Sequence, residues 1–265
     1  MKENLLNLFK HRQLLQTLVV RELKARYRGS ILGFFWSFAN PLLLLIIYTI
    51  VFNYILAQRD PNTNPYSLFL FCGILPWTWF SSSLLQATNS IIDGGILIKK
   101  IIFPAEVLPF VSVISNMIHF LLGLPILFIF MIYYMKGLTW NFFYFPIFVL
   151  IQLIFTLGLA LMLSSLSVHF RDIKDLIANI LTLWFFCTPI IYPFSFQVIE
   201  SSRYFKYILK INPMTYFMLG YQKAFFYGTS PSLKHTIIIS IGSIIVFWIG
   251  YFIFDRLRDT FVEEV

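Results

Sequence analysis

Two short clusters in an otherwise apolar chain have residue types and spacings that suit chemistry. Arg21, Lys24, Arg26 and Arg28 place four cations within eight residues. A guanidinium grips a phosphate through two parallel hydrogen bonds, and an ammonium adds a point charge. Such a cluster suits phosphate groups at a membrane surface, anionic lipid head groups among them. The second cluster is Asp93, Gly94, Gly95, Ile96, Leu97, Ile98, Lys99 and Lys100, continuing through Ile101, Ile102 and Phe103 to Pro104. Asp-Gly-Gly breaks a helix, and the apolar and basic run after it forms either a docking knob for another protein or a loop anchored by its lysines. Other chemistry is missing from the sequence. There is no GxxxxGK[ST] to cradle nucleotide phosphates, and no HExxH, GxSxG or CxxC. Cys72 and Cys187 lie in different apolar stretches and read as free, buried packing residues. His119 reads as a hydrogen-bonded interior residue. No catalytic residue, metal site or cofactor is expected in this chain.

The elements that must position these clusters are membrane helices. Of 265 residues, 58% are hydrophobic, 12% charged and 19% aromatic, too little charge to cover a soluble domain. Six apolar stretches predict spans near residues 31–57, 66–92, 105–134, 142–168, 176–192 and 236–254, each near the roughly 20 residues needed to cross a bilayer. The expected fold is therefore an all-α membrane protein, one domain over residues 1–265. The net charge of +8 fits an orientation signal and an attraction to anionic head groups better than nucleic acid.

Residues 1–28 read as an amphipathic interface helix. Leu5, Leu8, Phe9, Leu15, Leu18, Val19 and Leu23 form one side, and the first residues are too charged for a cleavable signal peptide. This helix either anchors the chain or also presents a surface to a partner. The second half of the second stretch carries Thr78, Ser81, Ser82, Ser83, Gln86, Thr88 and Asn89, a face for other helices or water. Residues 195–235 form the one long connection, aromatic, amphipathic and split at Asn212-Pro213 into two helical pieces. With both termini inside, thirteen of the 20 Lys/Arg face the cytoplasm. That places the 93–100 segment and HFRDIKD (169–175) inside, and the long connection outside. Ionisable groups near the midplane, which ion-coupled carriers need, are nearly absent. The spans read as walls of a passage driven from elsewhere.

The segment RELKARYRGSILGFFWSFANPLLLLIIYTIVF (21–52), then ILIKKIIFPAEVLP, then INPMTYFMLGYQKAFFYG, resembles the permease subunits of bacterial polysaccharide ABC exporters, the O-antigen, capsule and teichoic-acid transport family. The resemblance covers essentially the whole chain. It implies a six-span half-transporter that pairs with a second copy and with two separate nucleotide-binding ATPase subunits, which hold ATP and Mg²⁺. It implies that residues 93–103 are a coupling helix seated on the ATPase, that residues 196–227 are re-entrant external gate helices around Asn212 and Pro213, and that a lipid-linked glycan is the substrate. The expected location is the bacterial inner membrane, multi-pass, with both termini cytoplasmic. A glycan passage wants aromatic faces for sugar C–H surfaces and polar groups among them. Phe34, Phe35, Trp36, Trp77, Trp79, Trp184, Tyr192 and Tyr216 are candidates, although aromatic residues also crowd membrane interfaces. The rival readings are an ABC exporter of drugs or small lipids, a membrane enzyme acting on lipid-linked sugars, and an ion-coupled carrier.

Overall fold

The computed structural model describes residues 12–51, 63–100, 103–134, 139–170, 172–194 and 202–264, without the side chains of Phe34, Lys100 and Val262. Leu5, Leu8 and Phe9 of the interface helix, Arg171, and residues 195–201 of the long connection lie outside the described residues. Helices follow the apolar runs. α1 is Arg12–Arg26, and α2, Trp36–Thr49, follows a 3-10 turn. α3 is Tyr66–Asp93, α4 is Gly95–Lys100 and α5 is Val107–Tyr133. α6 is Phe145–His169, α7 Ile173–Phe186, α8 Arg203–Ile211 and α9 Pro213–Gln222. α10, Leu233–Leu257, leads through a 3-10 turn, Arg258–Thr260, into α11, Phe261–Glu264. No strand occurs among the described residues.

Among the described residues, four helical stretches are long and apolar enough to cross a membrane: Tyr66–Asp93, Val107–Tyr133, Trp140–His169 and Leu233–Thr260. At about 1.5 Å per residue each exceeds the roughly 30 Å of a hydrocarbon core. The other two expected spans are shorter as described. α2 has 14 residues, and residues 52–57 of its expected span lie outside the described residues. The expected fifth span, 176–192, is corrected. Its helix begins at Ile173, has 14 residues and stops at Phe186. Pro189 has no N–H for the Phe185 carbonyl and disfavours a helical Thr188 before it, so the chain turns after Phe186. The reading of Cys187 is corrected for the same reason. Both cysteines are free, but only Cys72 is buried, and Cys187 is exposed at the broken end of α7.

α3 is the central helix, with 78% of its most apolar window buried against 28% for that of α10. It packs on α5, α6, α7 and α9. Aromatic pairs fill the contacts: Trp79 stacks on Phe120 with centroids 5.2 Å apart, and Phe80 meets Trp184 edge-on at 5.3 Å. α10 lies along α6 with backbone close to backbone. A Cβ on Gly158 would sit 2.6 Å from the Phe247 backbone, and one on Gly250 would run into the Gly158 carbonyl. Small residues permit this approach, as in other membrane helix pairs. The opposite face of α10 exposes Ile237, Ile241, Ile244, Ile245, Trp248 and Phe252, a continuous apolar surface that suits lipid.

Gly250→Val is therefore expected to disrupt the α6–α10 pair. The backbone it strikes cannot swing aside as a side chain would, so the loss is at least about 3 kcal/mol, the upper end for overpacking. Thermal unfolding in detergent, compared with Gly242→Val, where a Cβ meets open space, measures it.

Candidate functional site

The functional candidates fall into three groups arranged along α3. The first is a cavity of about 400 Å³ among α1, α2, α3 and α5. Its walls combine aromatic rings (Trp36, Phe71, Trp79, Phe120) with polar groups (Arg26, Tyr27, Ser37, Asn40, Thr78, Asn116, His119). The Tyr27 hydroxyl lies 2.7 Å from Ser37 Oγ and 3.1 Å from His119 Nδ1. Beside it, Arg26 donates to Asn116 Oδ1 at 3.2 Å and to Gln86 Oε1 at 2.8 Å. Asn116 Nδ2 also donates to Gln86 Oε1 at 2.7 Å, and Gln86 Nε2 donates to Glu22 at 2.6 Å. Glu22 and Arg26, one turn apart on α1, thus hold one glutamine of α3 and one asparagine of α5. The apolar side of α1 seats Leu18 and Val19 against Val107 and Val111 of α5.

The basic cluster therefore divides. All four cations are exposed, but Arg26 lines the cavity and is hydrogen-bonded to Asn116 and Gln86 there. The polar stripe of α3 divides as well. Ser83 and Thr88 are buried and donate to carbonyls of their own helix, Trp79 at 2.6 Å and Leu84 at 2.7 Å. Thr78 and Ser82 line the cavity.

The second group is α4, which starts as soon as α3 stops. Gly94 caps α3, and a Cβ there would press on the end of the Leu108 side chain, 2.4 Å away, so glycine lets α5 approach this junction closely. Ile98 is 9% exposed and Ile96 70% exposed. Two residues apart on a helix is a rotation of about 200°, so one isoleucine anchors α4 while the other stands outward. Asp93 and Lys99 are exposed, Leu97 is half-buried, and Gly94 and Gly95 are buried.

The third group lies toward the Tyr66 end of α3, whose hydroxyl donates to the Ile191 carbonyl. Asn212 begins α9 with its side chain accepting from the Met214 N–H at 2.9 Å, and Pro213 takes the first helical position. The same Oδ1 accepts from Trp184 Nε1 at 2.7 Å, and Nδ2 donates to the Cys187 carbonyl at 2.8 Å and to Thr188 Oγ1 at 2.9 Å. All the hydrogen-bonding capacity of this amide is used. The two helical pieces expected around Asn212-Pro213 are α8 and α9.

The aromatic candidates do not converge on one place. Trp36 and Trp79 share the cavity. Trp77 and Trp184 meet edge-on at 6.4 Å inside the bundle. Tyr192 donates to the Phe186 carbonyl and Tyr216 to the Lys210 carbonyl, each at 2.7 Å. Phe35 is 72% exposed. Sequence reasoning missed Tyr27, Ser37 and Asn40 as cavity residues. Polar side chains at the entry of an apolar helix were the available signal.

Asn212→Ala removes the cap and strands the Trp184 N–H and the Cys187 carbonyl. A loss of about 3 kcal/mol is expected from the cap and the stranded groups together. Asn212→Asp keeps the acceptor and should lose less. Thermal unfolding in detergent separates the two.

The chain matches the ABC-2 type transporter membrane family over residues 13–226 and belongs to it. It is similar to the O-antigen export system permease protein RfbA of Myxococcus xanthus, 41% identical over 258 residues and 97% of each chain. A protein of the same name from Klebsiella pneumoniae is 35% identical over 265 residues, 99% of this chain and 98% of that one. The polysialic acid transport protein KpsM of Escherichia coli is 22% identical over 210 residues, 76% of each. Family and helices together make this a multi-pass membrane transport permease.

Proposed function

We propose that the chain is the membrane subunit of an ATP-driven exporter that moves lipid-linked polysaccharide, O antigen or a related glycan, across the inner membrane. The end-to-end similarity to export permeases carries this reading. Two copies act with two ATPase subunits, and ATP and Mg²⁺ are bound on those partners. α2 and α7 serve as the first and fifth of six spans, both termini are cytoplasmic, and α1 lies at the cytoplasmic interface. α4 is the coupling helix, and α8 and α9 form the external gate.

Arg21, Lys24 and Arg28 are available for a pyrophosphate or anionic head group near the membrane surface. Arg26 supports that cluster from the cavity wall. Closure of the ATPase pushes on the exposed side of α4, and the two copies shift against one another as rigid bodies. The glycan then passes between copies, along aromatic faces such as Phe35 and Trp36. Support for assigning α4 to the ATPase contact is its outward Ile96 on an anchored base.

Reconstitution with the ATPase tests the reading. Transfer of lipid-linked glycan into vesicles on ATP addition is expected, with accumulation of undelivered glycan in a strain lacking this chain. Movement of small lipids or drugs alone would favour the sister exporter class, and turnover of lipid-linked sugar by this chain without ATPase would favour an enzyme. Ile96→Asp changes only an exposed side chain and should leave insertion intact. It is expected to lower glycan-stimulated ATP hydrolysis about tenfold, the order of ordinary coupling between sites.

A further inference from the structure

Phe261 opens a short helix, Phe261–Glu264, far below the length at which a helix holds itself together, yet it is completely buried. A fully enclosed ring on such an element calls for a reason. Its neighbours supply one. Phe261 shares an apolar cluster with Ile98 of α4, Leu108 of α5, Leu161 of α6 and Phe254 of α10. Its ring meets that of Phe254 edge-on at 5.3 Å, and α11 packs directly on α4.

The turn that delivers the ring makes exposed polar contacts, each worth little by itself. Arg258 lies 3.3 Å from Asp255 and 3.6 Å from Asp259. The Thr260 hydroxyl lies 3.1 Å from Nε2 of His169, at the end of α6. α4 is described over six residues, Gly95–Lys100, far below the length at which a helix holds itself together. Its position is therefore set by what it rests on, and at Ile98 it rests on the cluster that Phe261 completes.

We propose that Phe261 is a positioning residue for coupling: a brace that ties α4 to the α6–α10 pair, so that force applied at Ile96 moves those helices instead of folding α4 aside. The brace rests on the exporter reading for its function, while its structural part stands on the contacts alone. Removing the ring leaves the outward side of α4 chemically unchanged, so binding of an ATPase and transmission from it become separable.

The test uses the full-length permease with its ATPase and three versions of the chain: unaltered, Phe261→Ala and Phe261→Leu. The measurements are recovery of the ATPase on purification, glycan exported per ATP hydrolysed, and hydrogen exchange of residues 94–100. In Phe261→Ala the ATPase is expected to co-purify normally while export per ATP falls about tenfold, within the usual range of coupling effects, and α4 amides exchange faster. Phe261→Leu, which leaves a smaller apolar plug in place of the ring, should lose part of both. Unchanged exchange and unchanged export per ATP in Phe261→Ala would overturn the brace. Should the alanine chain not accumulate, Phe261→Leu decides: coupling and exchange equal to the unaltered chain overturn the brace, and intermediate loss of both supports it. If the unaltered chain exports no glycan with an ATPase, the exporter reading fails, and hydrogen exchange of α4 alone still tests the brace.

Discussion

A polar side chain inside an apolar bundle has no water to fall back on, so it must be matched by the protein. In this chain that requirement decides which distant segments meet. Gln86 accepts from Arg26 and Asn116 and donates to Glu22, which fastens α1 across α3 and α5. Asn212 makes four hydrogen bonds that join the start of α9 to the broken end of α7. Apolar packing makes the bundle dense, but it is sequence-tolerant. The amides are more exacting, because displacing Asn212 would break four bonds at a buried residue and displacing Gln86 would unpair the buried Asn116.

These junctions stand apart along α3, whose 28 residues extend about 42 Å. The Gln86 junction lies two turns before α3 gives way to α4, whereas the Asn212 junction lies beside the middle of α3, with Trp184 packed on Trp77 and Phe80. One buried helix therefore connects a knob at one end with a hydrogen-bonded corner toward the other. A rigid connection of this kind suits a transporter, in which an event on one face must be felt on the other. It would be surplus in a protein that only anchors.

Much of this was legible because the bilayer writes its length into sequence. The expected spans at 66–92, 105–134 and 142–168 differ from α3, α5 and α6 by three residues or fewer at each end. The expected last span, 236–254, lies within α10. Asp-Gly-Gly and Asn212-Pro213 marked the end of α3 and the start of α9 because each carries a local backbone preference. What escaped was pairing across long separations. Arg26 and Asn116 are ninety positions apart, and a cation on an amphipathic helix has the same pattern whether it faces water or a cavity wall. The eight aromatic candidates were read as one passage because ring type carries no address. Phe261 escaped because one aromatic residue in a charged tail has no periodicity to reveal its burial.

The distribution of packing also says where such a bundle gives way. α6 and α10 meet through Gly158 and Gly250 without an intervening layer of side chains, so neither can shift far without dragging the other. α7 is the reverse case. Only Leu181 of its 14 residues is buried, while Leu176, Ile180, Leu183 and Phe186 are exposed. α2 likewise buries only Ser37 and Leu45. The molecule thus has a stiff side, α6 with α10, joined by the Phe261 cluster to α4, and a lightly held side, α2 and α7, whose apolar surfaces await lipid or a second copy. Packing therefore resists a shift least at α2 and α7, where few residues are buried, and most where α6 and α10 meet backbone to backbone.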